Sequence, residues 1–75
     1  MNLKLINEVA TLAKHMQVKY PHLRQGQALM NALHEVDANM YKQIDQTDAD
    51  CFYQDARIEK FWNIIAHAET QALNQ

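Results

Sequence analysis

The chain has 75 residues, enough for one domain, and a domain of this size buries only about 60% of the surface that its unfolded chain exposes. Its single cysteine excludes an intramolecular disulfide, and one glycine with one proline are too few turn residues for an all-β protein. The formal net charge of −2 gives the whole chain no bulk attraction for nucleic acid.

The first predicted element is an amphipathic helix over residues 3–19, with Asn2 as its N-cap. Apolar residues recur there at alternating spacings of three and four, which is the pattern of one buried helix face. This face consists of Ile6, Val9, Ala13, Met16 and Tyr20, widened by Leu5 and Leu12. Pro21 ends the helix because it has no amide hydrogen and forces the preceding residue out of the helical region.

A tight corner over residues 20–23 leads to a second predicted helix over residues 24–36. Its buried face consists of Leu29, Leu33 and Val36, with Met30 and Ala32 beside them. Gly26 lies near the start of this helix, where a lone glycine costs about 1 kcal/mol relative to alanine. We therefore expect Gly26 to serve a close helix–helix approach or an irregular first turn.

Asp37 is the predicted N-cap of a short third helix over residues 38–44, which turns Met40, Tyr41 and Ile44 inward. The next segment, DQTDADCFYQD at residues 45–55, has no helical periodicity, and its Asp and Thr side chains suit caps and turns. We expect Thr47 or Asp48 to cap a single turn there. That turn would carry Cys51 and Phe52 into the core.

Asp55 is the predicted N-cap of the last helix, which covers residues 56–73. The buried face of this helix consists of Ile58, Phe61, Trp62, Ile65 and Ala68 or Ala72. Short connections favour antiparallel neighbours. The four elements therefore predict an all-α fold, a small helical bundle of three long helices and one short helix that forms a single domain over residues 1–75.

No catalytic or metal site is predicted, and no cofactor. His34 and Glu35 begin like the zinc signature HExxH, but Ala38 stands where the second histidine is needed. A calcium loop starting at Asp48 would need a glycine at its sixth place, where the chain has Tyr53. Cys51 follows an acidic residue that raises a thiol pKa, so it is expected to be a buried apolar residue rather than a nucleophile. The chain is predicted not to be an enzyme.

Charge is distributed unevenly along the chain. Residues 1–24 carry four basic residues and one acidic residue, whereas residues 25–55 carry one basic and six acidic residues. The first group predicts a basic contact surface made of Lys14, Lys19, His22 and Arg24. The second predicts an acidic turn that docks on a basic protein patch, made of Asp45, Asp48, Asp50, Tyr53 and Asp55.

The last helix carries more large apolar side chains than a small core covers. Trp62 and Ile64 are therefore the predicted contacts of a homodimer, which would also add to a thin stability. No stretch reaches the roughly 20 apolar residues of a membrane span, and polar residues interrupt every apolar run near the N-terminus before it reaches the length of a signal peptide. We expect a cytoplasmic protein that does not contact a membrane.

Two segments, GQALMNAL at residues 26–33 and TDADCFY at residues 47–53, stand out together with Glu35, Val36, Tyr41 and Ile44 between them. With these residues the chain resembles a group of small helical proteins that bacteria and their phages encode and that have no known activity. The resemblance covers more than half of the chain. It implies an accessory protein of phage or mobile-element origin and implies no catalytic residue.

The residues and the resemblance together predict a small protein–protein interaction module, an accessory factor that acts on a host protein. The alternative is a nucleic-acid-associated regulator that acts as a dimer through the basic N-terminal region. The second function is not favoured, because no helix has the Arg, Lys, Asn and Gln content of a helix-turn-helix recognition helix.

Overall fold

The computed structural model describes residues 4–73, and of residues 70–73 the backbone alone. Four α-helices follow one another in the described chain: α1 is Lys4–Lys19, α2 is Gln25–Val36, α3 is Ala38–Ile44 and α4 is Ile58–Leu73. A 3₁₀ turn, Asp55–Arg57, leads directly into α4. Residues 4–73 contain no β-strand, so the all-α prediction is confirmed. The predicted cap Asn2 lies outside the described residues.

The corner between α1 and α2 forms where Pro21 was predicted to end the first helix. The amide of Tyr20 closes the last turn of α1 on the Met16 carbonyl at 2.7 Å, and the amide of Leu23 donates to the Tyr20 carbonyl at 3.0 Å. The side-chain amide of Gln17 then donates to the Leu23 carbonyl at 3.3 Å. These three bonds hold the chain in the tight turn that brings α2 back along α1.

One cluster of apolar side chains forms the core. α2 contributes the largest share, five residues, and α1 and α4 each contribute two. Its members are Val9, Ala13, Ala28, Leu29, Met30, Ala32, Leu33, Met40, Ile44, Ala49, Cys51, Phe61 and Ile65. The predicted faces of the helices therefore turn inward, with Val36, Tyr41, Trp62 and Ala68 packed at the margin of the core. The side chain of Ala72 lies outside the described side chains.

Tyr20 does not belong to this core, and the prediction that it extends the buried face of α1 is wrong. Its side chain is 45% exposed, because α1 ends at Lys19 and position 20 lies beyond the last packed turn. The ring instead contacts the His22 ring edge to face, with centroids 6.4 Å apart, and the Lys19 ammonium at 5.4 Å. Tyr20 therefore belongs to the surface of the corner.

Asp37 separates α2 from α3 as predicted. Its amide donates to the Leu33 carbonyl at 2.8 Å, which completes the end of α2. Its carboxylate accepts a hydrogen bond from the Met40 amide at 3.1 Å, which caps the start of α3. One residue thus ends one helix and begins the next, and this leaves Met40 and Ile44 turned into the core.

The segment after α3 forms a single turn capped by Thr47, one of the two predicted caps: the Asp50 amide donates to the Thr47 carbonyl at 3.1 Å. The Thr47 hydroxyl accepts from the Ala49 amide at 3.2 Å, and Asp50 accepts from the amides of Gln46 and Phe52 at 2.8 and 3.0 Å. Gln46 adopts a left-handed backbone with φ of 65°. Side-chain hydrogen bonds that close local turns compete with helix formation, and no helix forms over residues 45–54. Cys51 is nevertheless buried in the core.

Asp55 does not cap the last helix, which corrects a second prediction. Residues 55–57 form the 3₁₀ turn, and the Asp55 carboxylate accepts from the amide of Gly26 at 3.0 Å. Gly26 is the second residue of α2, and the residue before that helix, Arg24, caps no amide of α2 with its side chain. The amides at a helix start need acceptors, so a carboxylate 29 positions away supplies one.

Candidate functional site: the acidic turn and the corner cleft

The acidic turn, residues 45–55, carries all five side chains that were predicted to meet a partner. Asp48 and Tyr53 are exposed, and Tyr53 is 79% exposed. Asp45 and Asp50 are half-buried, and Asp55 is exposed at the far end. The rings of Phe52 and Tyr53 pack edge to face with centroids 4.9 Å apart. Phe52 in turn packs against the core, so it supports the exposed Tyr53 ring.

Two of the acids already have partners within the chain. Asp50 accepts from two backbone amides, and Asp55 accepts from the Gly26 amide, with the Arg24 Nε 4.0 Å from the same oxygen. These contacts fix the shape of the turn. Asp48 and Tyr53 are the exposed side chains of the predicted set that these contacts do not use.

The basic residues predicted to form one surface are not brought together. Lys14 lines a groove between α1, α2 and α4, beside Gln17 and Trp62. Lys19 lies over the Tyr20 ring, five positions from Lys14 and so about 140° away around the helix. The guanidinium of Arg24 donates to the Phe52 carbonyl and lies beside Asp55. Lys19 and His22 alone share the corner.

A cleft beside that corner was not predicted. It has a volume of about 610 Å³, within the range of protein ligand pockets. We call it the corner cleft; its lining consists of Met16, Tyr20, His22, Leu23, Asn31, His34, Glu35 and Tyr41. One signal in the sequence could have found part of it. Asn31, His34 and Glu35 are spaced by three and four positions, which places them on one face of α2.

The corner cleft and the acidic turn meet at Tyr41. On the cleft side, the His34 and Tyr41 rings are perpendicular, with centroids 4.8 Å apart. On the other side, Tyr41 lies in the field of the acidic turn. Burial raises the pKa of its hydroxyl, and the charges of Asp45, Asp50 and Tyr53 raise that pKa further. The Tyr41 carbonyl also accepts from the Asp45 amide at 2.8 Å, so Tyr41 lies between the cleft and the turn.

The Cys51 thiol is fully buried, and its Sγ lies 3.6 Å from the Gly26 carbonyl, to which it donates. Burial raises the pKa of this thiol to about 11, and the carboxylates of Asp50 and Asp55 add to the rise. The expected rise is confirmed, with burial as its largest cause. The nucleophilic thiolate is thus scarce at neutral pH.

Within the described part of the chain, no group of three or more His, Cys, Asp or Glu side chains is placed to hold a metal ion. His34 and Glu35 are exposed on α2, where they were predicted. Among residues 4–73, no helix is both long enough and apolar enough to cross a membrane.

The predicted dimer contacts are only partly exposed. Trp62 is half-buried, with its ring edge to face on Phe61 at 5.1 Å between centroids. Ile64 is 43% exposed beside a shallow groove lined by Thr47, Asp48, Ala49, Lys60 and Asn63. Ile64 is thus the more exposed of the two by fraction, and its groove borders the acidic turn.

Comparison of the chain with protein-family models, with curated proteins and with solved structures finds no match. The resemblance to proteins encoded by bacteria and their phages therefore stays a prediction.

Proposed function

We propose that this chain acts as a single small helical bundle of three long helices and one short helix, and that it is a non-enzymatic protein–protein interaction module. It binds a basic segment of a partner protein through the acidic turn, in the cytoplasm. The role is that of an accessory factor, of phage or mobile-element type, acting on a host protein. The observation that supports it best is the exposure of Asp48 and Tyr53 on a turn held by intrachain bonds.

The fixed shape of the turn favours binding because little conformational entropy is left to lose. Asp50 bonds two amides, Thr47 bonds a third, and Asp55 ties the end of the turn to α2. Ordering a mobile loop on association costs free energy for each immobilised side chain. A turn already held in one conformation avoids most of that cost. Exposed Tyr53 adds a rigid aromatic side chain of the kind that is enriched at interfaces.

Charge indicates the chemistry of the partner. Residues 45–55 contain four aspartates and no lysine or arginine. Beside the turn, Arg24 and Arg57 are each hydrogen-bonded to one of its backbone carbonyls. Lys60 lines a groove with Asp48. The side chains of the turn itself are thus acidic, and an acidic surface favours a partner of the opposite sign, mainly through the association rate and through rejection of like charge. The partner segment is therefore rich in Lys or Arg.

Fluorescence anisotropy with labelled lysine-rich peptides tests this function. We expect binding that weakens between about 0.01 and 0.15 M salt, because the Debye length falls over that range. Asp48→Asn should weaken it further. Glu8→Gln on α1 is the matched control, since it removes one acidic charge outside the turn and should leave the affinity nearly unchanged. If the two variants bind alike, the acidic turn is not the contact surface.

The same assay with duplex DNA tests the alternative, a regulator that binds nucleic acid as a dimer. Salt-dependent binding to DNA that is weakened by Lys19→Ala, without binding of lysine peptides, would replace the interaction module. The placement of Lys14 away from the corner and the bonds of Arg24 to the acidic turn give this function less support.

A further inference from the structure

We propose that the corner cleft holds one apolar side chain of the same partner segment, and that Lys or Arg residues flank this side chain. The inference rests on the proposed function and makes it more specific. The partner would then be a peptide segment with a leucine-like residue in the cleft and cationic residues along the acidic turn. The occupant follows from the shape of the cleft, its charge and its position next to the turn.

The cleft has an apolar base and a polar rim. Met16, Leu23 and Tyr41 are half-buried and supply the base, while Asn31 and Glu35 are exposed at the rim. Its volume of about 610 Å³ is larger than one side chain needs, so a short stretch of peptide backbone fits with it. An apolar group that enters such a pocket gains free energy in proportion to the surface it removes from water.

The charge of the cleft favours a cationic flank. Its one carboxylate belongs to Glu35, and the one ammonium beside it, that of Lys19, lies over the Tyr20 ring at the corner. The ion pairs among the described residues join Lys4 to Glu8 and Arg24 to Asp55, so no described residue pairs with Glu35. The turn begins next to Tyr41, whose carbonyl accepts from the Asp45 amide. A cation that flanks the apolar residue on the Tyr41 side therefore approaches the carboxylates of the turn.

A second copy of this chain fits the cleft less well. Two identical subunits most often associate about a two-fold axis, so that the same patch faces itself. Glu35 and the acids beyond Tyr41 would then face their own counterparts, and like charges across an interface oppose association. A basic peptide has the complementary charge.

Three capped, labelled peptides test the inference: a lysine peptide with a central leucine, the same peptide with a central glycine, and the leucine peptide with glutamate in place of lysine. We expect the leucine peptide to bind about tenfold or more tightly than the glycine peptide, since a buried leucine gains that much. The glutamate peptide should bind far more weakly than either. Equal affinity of the glutamate and lysine forms would overturn the charge assignment.

Asn31 and Asn39 offer a matched pair of variants, because both are exposed and only Asn31 lines the cleft. Asn31→Trp places a large ring in the cleft and should reduce the affinity for the leucine peptide to that for the glycine peptide. Asn39→Trp adds the same side chain on α3 outside the cleft and should leave the preference for leucine within about twofold of the parent. Thermal unfolding of both variants confirms that they are folded.

The outcomes separate this inference from the proposed function. If the leucine and glycine peptides bind equally and Asp48→Asn weakens both, the acidic turn binds the partner and the cleft does not. If Asn31→Trp keeps the preference for leucine, the apolar residue binds elsewhere, and the inference is wrong. If no lysine peptide binds at all, the proposed function fails and the inference fails with it.

Discussion

The carbonyl of Cys51 lies so close to Gly26 that a β-carbon at position 26 would be 2.0 Å from the carbonyl oxygen. The Cys51 thiol donates back to the Gly26 carbonyl, and the Gly26 amide donates to Asp55. The start of α2 is therefore bound to both ends of the CFYQD segment. This junction holds the acidic turn against the core and sets the surface it presents.

Gly26→Ala should destabilise the protein by about 1–3 kcal/mol or more, because the backbone of the turn must move to admit a methyl group. The sign is informative, since the same change at an ordinary helix position stabilises by about 1 kcal/mol. Urea unfolding followed by circular dichroism measures it. Asn31→Ala on the exposed face of α2 is the control. A urea midpoint of Gly26→Ala at or above that of the parent would show that the Cys51 carbonyl leaves room for a β-carbon at position 26.

Asp55→Ala should cost about 1–2 kcal/mol, because it removes the acceptor of the Gly26 amide at the start of α2. Asp55→Asn should cost less, since its amide oxygen can still accept that bond. The lost ion pair with Arg24 is half-exposed and therefore contributes little. Asp48→Ala in the same turn should change the stability by less than about 0.5 kcal/mol. Equal effects of Asp55→Ala and Asp48→Ala would contradict the capping role.

Local signals made most of the helices predictable. Pro21 ends α1, Asp37 caps α3 through an amide three residues away, and the three-and-four spacing identifies the buried faces. Each of these features depends on residues within one or two turns of each other. The bounds of α1, α2 and α3 differ by at most one residue from those predicted.

The contacts between distant segments were not predictable in this way. From sequence, a capping residue is assigned to the helix that follows it, so Asp55 was predicted to cap α4. Its carboxylate instead accepts a hydrogen bond from the Gly26 amide at the start of α2. Gly26 was expected to admit a neighbouring helix or to form an irregular first turn, but its close neighbour is the backbone of the acidic turn. The corner cleft combines α1, the corner, α2 and α3, and its existence depends on their packing.

Leu33→Ala and Phe61→Ala should each cost about 2–5 kcal/mol, because both side chains are fully buried and their removal leaves a cavity. A small domain has about this much stability in total, so both variants should be largely unfolded at 37 °C. Val18→Ala on α1 is the control, because Val18 is 76% exposed. Circular dichroism at rising temperature compares the three. Unchanged melting of either core variant would disprove its place in the core.

The stability should fall in alkali through Cys51. The pKa of its thiol is about 11 in the folded chain against an ordinary value of 9.0, so folding favours the protonated form. That contribution is intact below about pH 9 and is lost as the pH rises towards about 11, at a cost of about 2–3 kcal/mol.

Cys51→Ala isolates this effect because it removes the thiol and keeps every other side chain of the protein. The free energy of unfolding of the parent should fall more steeply between about pH 9 and 11 than that of the variant. Parallel curves for the two proteins would show that the thiol titrates alike in the folded and unfolded chains.

Self-association through α4 should depend on Ile64. This side chain is 43% exposed, and the groove beside it is lined by both Lys60 and Asp48. A two-fold contact there would bury the apolar side chain and could pair the two signs of charge across the axis. Light scattering should show a mass that rises from monomer towards dimer with concentration. Ile64→Ser should keep the protein monomeric, whereas Val18→Ser, which removes a still more exposed apolar side chain from α1, should not. A parent that stays monomeric at every concentration would leave Ile64 as an isolated exposed side chain.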